Sequence, residues 1–275
     1  MFIARKIKSA YRLIKRNFIW EKDAKECRED IKSKSIGTIP EGKLIILMPH
    51  SDDEWIGCST ILKKYAERVL VVNMNMKGGD DKKVHKERLL EAENVAQKVG
   101  YHFITIGEDK IKSLQTILKS EEPICVFLPS FLDWHEEHLQ VMNILKSCLV
   151  NLTDRPKVAM YQVSLPLPEY FVTICISLTK MEWKSKWSTF KSMYKTQAFL
   201  PVKRFALNEY INGAFGGNYA AEVFSISDYE KWENDMNRFR LSNSDIKVYK
   251  EHLQEIKYTR NALNNHINSV LNGEE

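Results

Sequence analysis

The sequence predicts an α/β protein built on a doubly wound, Rossmann-like, mostly parallel sheet, with an added α-helical region at its C-terminal end. Short apolar runs recur between residues 43 and 165, separated by segments of helical length. The runs are apolar at consecutive positions, as strands covered on both faces must be. Beyond residue 165 this rhythm stops and helical spacing takes over.

Residues 2 to 20, "FIARKIKSAYRLIKRNFIW", carry six basic residues and no acid. Ile3, Ile7, Ala10, Tyr11, Ile14 and Phe18 fall on one side of a helical wheel with the bases opposite. Such a basic amphipathic helix either docks on its own domain or makes a peripheral contact with an anionic membrane surface or partner, and both readings stay open.

The strands are read as "KLIILMP" (43–49), "RVLVVNMN" (68–75), "YHFITIG" (101–107), "ICVFLPS" (124–130) and "KVAMYQVS" (157–164). Between the second and third, Val84, Leu89, Ala92, Val95, Ala96 and Val99 form a helical stripe that Gly100 ends. After "LPLPEY", Trp183, Trp187, Phe190 and Tyr194 recur at helical spacing and read as core rather than a ligand platform. A last helix from residue 244, introduced by "SNSD", carries Ile246, Tyr249, Leu253, Ile256, Leu263, Ile267 and Val270 in steps of three and four, broken by Arg260. That heptad-like seam lines either its own domain or a partner subunit, which leaves a homo-oligomer open.

With 275 residues, 44% of them hydrophobic, there is ample material for a core, and a formal charge of +5 gives no compositional argument for nucleic acid. Cys27, Cys58, Cys125, Cys148 and Cys175 are odd in number, widely spread and without a C-x-x-C pair, so free thiols in a cytoplasmic setting are expected. No stretch reaches the roughly 18 consecutive apolar residues of a spanning helix, and the N-terminus lacks the apolar core of a signal peptide. A dinucleotide site finds no support, because no G-x-G-x-x-G follows the first strand.

Two clusters carry the chemistry. "PHSDDE" (49–54) places His50, Asp52, Asp53 and Glu54 at the end of the first strand and the start of a helix. Helix capping accounts for one aspartate there, but not for His50. "LDWHEEHLQV" (132–141) places His135 and His138 three apart after the fourth strand, so both rings lean to one side of a helical turn. In a doubly wound sheet, clusters at the ends of two such strands face one another across the crevice beyond the strands' carboxyl ends. Imidazole and carboxylate ligands suit zinc, and three protein ligands with an open position describe a catalytic site. His85 and His102 lack ligand spacing and read as ordinary surface or packing residues. Cys58 reads as packed, and Gly78 and Gly79 as a turn or a place where substrate approaches.

These motifs resemble the PIG-L (LmbE-like) superfamily of zinc-dependent N-deacetylases, whose usual signatures are A-H-P-D-D-E and H-P-D-H. The resemblance extends to R-x-x-E at Arg88 and Glu91, to S-Q at "YKTQ" (194–197) and to Y-A-E-x-F at "GGNYAAEVF" (216–224), and covers about residues 43 to 225. It implies that His50, Asp53 and His138 hold Zn2+, that Asp52 is the general base, that His135 stabilises the developing oxyanion as a cation, and that Arg88 contacts sugar hydroxyls or a leaving substituent. The implied reaction removes the N-acetyl group from an N-acetylglucosamine-type amino sugar, free or carried on a nucleotide or lipid. The domains expected are a basic helical extension (1–40), an LmbE-like deacetylase domain (41–226) and a helical extension (227–275). Ser51 stands where the family has proline, and Glu136 and Glu137 replace proline and aspartate between the histidines. These departures leave two alternatives: a non-catalytic relative serving as a binding or assembly subunit, and a metal amidase acting on a non-sugar amide.

Overall fold

The computed structural model describes residues 2–34, 36–76 and 81–273, with side chains described from residue 11 onward. Gly78 and Gly79, and the side chains of Ile3, Ile7 and Ala10, lie outside the described residues. Strands β1 (Leu44–Met48), β2 (Val69–Asn73), β3 (His102–Thr105), β4 (Cys125–Pro129) and β5 (Lys157–Tyr161) run parallel in the order β3-β2-β1-β4-β5. Ile46 of β1 is in register with Val71 on one side and Phe127 on the other, so β1 is central and buried along its whole length. The chain winds outward from β1 to β3 and then returns to β4, which puts the topological switch point between β1 and β4.

Helices cover both faces, as the continuous apolar strands require. Leu44, Ile46 and Met48 face a core shared with α2 (Asp53–Lys64), α3 (Lys82–Val99), α6 (Lys180–Met193) and α7 (Val202–Asn212). Ile45 and Leu47 face the opposite core, shared with α4 (Lys110–Glu121), α5 (Glu136–Leu149), α8 (Tyr229–Phe239), α9 (Asn243–His252) and α10 (Ile256–Asn272). The helices after β1 and β4 therefore leave to opposite sides of the sheet and open a crevice between their starts. Helix α3 is bounded as its sequence suggests: the Asp81 carboxylate caps the amides of Lys83 and Val84, and Gly100 closes it at φ 94°.

Two expectations change. Strands do not end near residue 164: β6 (Ile174–Leu178) and β7 (Ala220–Ser227) extend the sheet, β7 pairing antiparallel with both β5 and β6. The last helix is not continuous from 244, because the chain turns at residues 253–255 between α9 and α10, where Glu255 N–H donates to His252 O and the Leu253 carbonyl accepts from Arg204 Nη1 instead of from a helix amide. Tyr249, Ile256, Leu263 and Ile267 of the proposed seam are buried within the chain's own cores. Arg260, the break in the seam, is buried too and donates to Asn208 and Asn212.

Helix α1 (Phe2–Asp30) is longer than its amphipathic signal. Trp20, Ala24 and Cys27 dock against Leu207, Ile211 and Ile256, whereas Tyr11, Ile14 and Phe18 are 66%, 68% and 69% exposed. The helix is thus docked from Trp20 onward, and before Trp20 its described residues Tyr11, Ile14 and Phe18 face solvent. Among the described residues no helix is long and apolar enough to cross a membrane.

Candidate functional site

Residues His50 to Asp53 form the turn from β1 into α2, and Asp133 to His138 lead from β4 into α5, on the two sides of the switch point. Capping does not explain the aspartates of the first turn: Asp52 occupies the N-cap position of α2 but makes no side-chain capping bond. The Asp53 carboxylate instead turns back, with Oδ2 accepting from the His50 amide at 2.9 Å.

That same oxygen lies 3.2 Å from His50 Nδ1 and 3.3 Å from His138 Nε2, and the two nitrogens are 3.3 Å apart. Three donor atoms therefore form a nearly equilateral triangle. Bonds of about 2.0 to 2.1 Å from a tetrahedral zinc would separate its ligand atoms by about 3.3 to 3.4 Å, so the side chains already stand at the spacing of one tetrahedral face. The donor set, two imidazoles and a carboxylate, also suits zinc. The ligand atoms of His50, His135 and His138 lie within a looser 4.8 Å of one another. The closer triangle fits a single ion better.

The far nitrogen of each ring is held by a carboxylate. His50 Nε2 donates to Glu137 at 2.6 Å, and His138 Nδ1 donates to Asp133 at 2.9 Å. Both rings are thereby turned with the opposite nitrogen toward Asp53. Asp133 is itself fixed by the amides of His135 and Ser164. Glu137 thus keeps an orienting carboxylate despite the altered spacer, directed at the histidine of the other cluster.

Burial alone would lower the two imidazoles, but their carboxylate partners prevail: Asp53 and Glu137 push His50 up to about 9, and Asp53 and Asp133 push His138 up to about 10. Against its own burial, Asp53 is held well below the ordinary carboxylate range by His138 and His50. Its neighbour behaves oppositely: burial and the repulsion of Asp53 push Asp52 up to about 7. Adjacent aspartates are thus divided into one committed anion and one group poised to exchange a proton near neutrality. Burial and the charges of His138 and His50 lower His135. That direction works against the cationic form expected of His135.

A cavity of about 440 Å³ opens over these groups, lined by His50, Asp52, Asp53, His135, His138 and Arg88 among others. All six sequence-derived site residues thus meet in one cleft. Arg88 also lies over the Phe199 ring, 5.8 Å from its centre. The later motifs act as scaffold: Glu91 accepts from the amide and hydroxyl of Thr196, and Glu222 accepts from Ser59 and Thr60 of α2. Asp133 supports the site although the motifs give it no role, and Glu54 and Tyr194, which the motifs include without a role, pair with one another. Tyr194 donates to Glu54 at 2.5 Å, and burial pushes Glu54 up to about 8. Cys58 is buried within α2, its thiol pushed far above the ordinary range, as a packed cysteine would be. His85 bonds Asn75, and His102 is exposed at the start of β3.

No family model matches the chain, and no curated protein matches it. Solved structures do. The conserved protein TT1542 from Thermus thermophilus is 18% identical with a TM-score of 0.56, over 67% of this chain and 94% of that one. A deacetylase–bog complex from the teicoplanin biosynthesis pathway is 12% identical with a TM-score of 0.52, over 67% and 97% of the two chains. The zinc inhibited form of a teicoplanin deacetylase is 12% identical with a TM-score of 0.51, over the same shares. At these identities the shared property is the fold, which is the mostly parallel α/β fold expected from the motifs.

Proposed function

We propose that the chain is a zinc-dependent N-deacetylase of the PIG-L (LmbE-like) type, hydrolysing the acetamide of an N-acetylated amino sugar. The observation that carries this reading is the triangle of His50, Asp53 and His138 beside an uncommitted Asp52. Deacetylases among the solved structures with this fold support it at the level of chemistry. Zinc held by His50, Asp53 and His138 would polarise the acetamide carbonyl and bring the pKa of a water to about 7.

The chain's own groups do the rest. Asp52, buried and poised near 7, takes a proton from the attacking water as the new C–O bond forms. It returns that proton to the nitrogen as the C–N bond breaks, so acetate and a free amine leave. His135, on the cavity wall, stabilises the oxygen on which charge develops through its ring N–H. Arg88, which also lines the cavity, contacts sugar hydroxyls or a neighbouring substituent. Glu137 and Asp133 hold the ligand rings, so the altered spacer between His135 and His138 still supports catalysis.

The exposed apolar positions of α1, set among bases, support a peripheral contact with the inner face of an anionic membrane, with the sugar carried on a lipid or nucleotide. Five free cysteines fit a reducing cytoplasm. Amine release from N-acetylglucosamine derivatives and from non-sugar acetamides tests the reading. Wild type should cleave the sugar acetamides, Asp52→Asn should be slower by roughly 10² to 10⁴, and wild-type activity should rise as pH passes through about 7, where Asp52 is half deprotonated. Turnover confined to non-sugar amides would move the substrate class, and no turnover with any acetamide would leave a binding role.

A further inference from the structure

Arg204 stands in the first turn of α7 with only 6% of its surface exposed, on the wall of the same cavity. One guanidinium nitrogen is engaged: Nη1 donates to the Leu253 carbonyl at 2.7 Å, at the turn between α9 and α10. Nε is buried and has no hydrogen-bond partner, and Arg204 forms no ion pair among the described residues. Nε and Nη2 form the side-on fork of a guanidinium, the edge that receives two oxygens of a carboxylate or phosphate in parallel.

A buried cation left without a counter-charge is costly. Its position makes the cost larger, since the positive end of a helix dipole disfavours a cation and favours an anion. Burial accordingly lowers Arg204 to about 10. Asp133, the acid that acts on it electrostatically, is committed to His138. Arg88 adds a second guanidinium to the lining of a cavity whose acids, Asp52 and Asp53, are already assigned.

We infer that Arg204, braced by the Leu253–Gln254 corner of the C-terminal helices, is a subsite for an anionic group, phosphate or carboxylate, borne by the substrate. The inference rests on the cavity being the substrate site of the proposed hydrolase. It assigns a role to the C-terminal extension, whose Leu253 and Gln254 complete the wall, and it narrows the substrate to a charged conjugate.

Isothermal titration of inorganic phosphate and of malonate into the full-length protein tests it, comparing wild type with Arg204→Met, Arg204→Lys and, as a control, Lys203→Met, whose exposed side chain pairs with Glu21. Affinity arising from other cations in the cavity is common to all four proteins. The expected result is saturable binding to wild type, weakened about tenfold or more in Arg204→Met, less in Arg204→Lys, and unchanged in Lys203→Met. Tighter phosphate than malonate assigns the group as phosphoryl, and the reverse assigns a carboxylate. Equal affinity in wild type and Arg204→Met, or no saturable binding to wild type, overturns the subsite. Amine release from a neutral acetamide reports on the hydrolase separately: anion binding that depends on Arg204 without any amine release would sink the hydrolase and keep the subsite.

Discussion

Asp133 makes no contact with the proposed ion and still decides whether His138 can ligate it. Its Oδ2 accepts a hydrogen bond from His138 Nδ1–H, which leaves Nε2 directed at Asp53. Asp133→Asn keeps the shape but loses the anion, and zinc affinity measured by competition with a chelator should fall by about 10- to 100-fold with the fold intact. Unchanged affinity would mean that the ring is held by packing alone. The residues that meet in the cleft were legible in the sequence because most of them are packed into two short motifs. Asp133 was not, although it stands two residues before His135, because an aspartate ahead of a helix has an ordinary capping explanation and its true partner is set by how the turn folds. The electrostatic pull on His135 is hidden in the sequence for a related reason: it depends on three imidazoles brought together from two distant segments.

Helix α2, which carries Asp53, is fixed by a buried polar network. Its backbone departs from helical geometry at Cys58, and the Ile56 carbonyl is met by Lys186 Nζ at 2.7 Å. Lys186 also pairs with Glu209 and, at 2.5 Å, with Glu222, whose carboxylate in turn holds Ser59 and Thr60. Next to this, Gly57 admits the Tyr161 ring so closely that an added Cβ would come within 2.2 Å of it. Lys186→Met would leave two carboxylates buried without their cation and should cost about 3 to 5 kcal/mol in urea unfolding. A loss under about 1 kcal/mol, the range of an exposed pair, would mean that water reaches the cluster. Elements with continuous apolar runs, β1 to β5, were legible one by one. Strands β6 and β7 were not, because they break the alternation of strand and helix and pair antiparallel across long sequence separations. The turn between α9 and α10 was hidden by a seam that continues through it in periodicity, while the bond that redirects the chain comes from Arg204, 49 residues away.

At the scale of the molecule, the sheet places two short motifs at its switch point, and the appended helices close the cleft and extend the surface. The C-terminal helices bury their seam in the chain's own cores and supply Leu253 to the cavity wall. Helix α1 does the opposite ahead of Trp20, presenting Tyr11, Ile14 and Phe18 outward. Removing residues 1–19 keeps the docking residues Trp20, Ala24 and Cys27. The truncated protein should keep its melting temperature within a few degrees but lose flotation with liposomes rich in anionic lipid, which the full chain should retain. If neither protein floats, the exposed face serves another purpose.

The claim on which the rest depends is that His50, Asp53 and His138 form one metal site from which Asp52 stands apart. Elemental analysis of the purified full-length protein, beside His138→Ala and Asp52→Ala, tests it directly. One zinc per chain is expected in wild type and in Asp52→Ala, with loss from His138→Ala. A folded wild type that takes up no zinc, or a His138→Ala variant that holds it as well as wild type, would contradict the assignment.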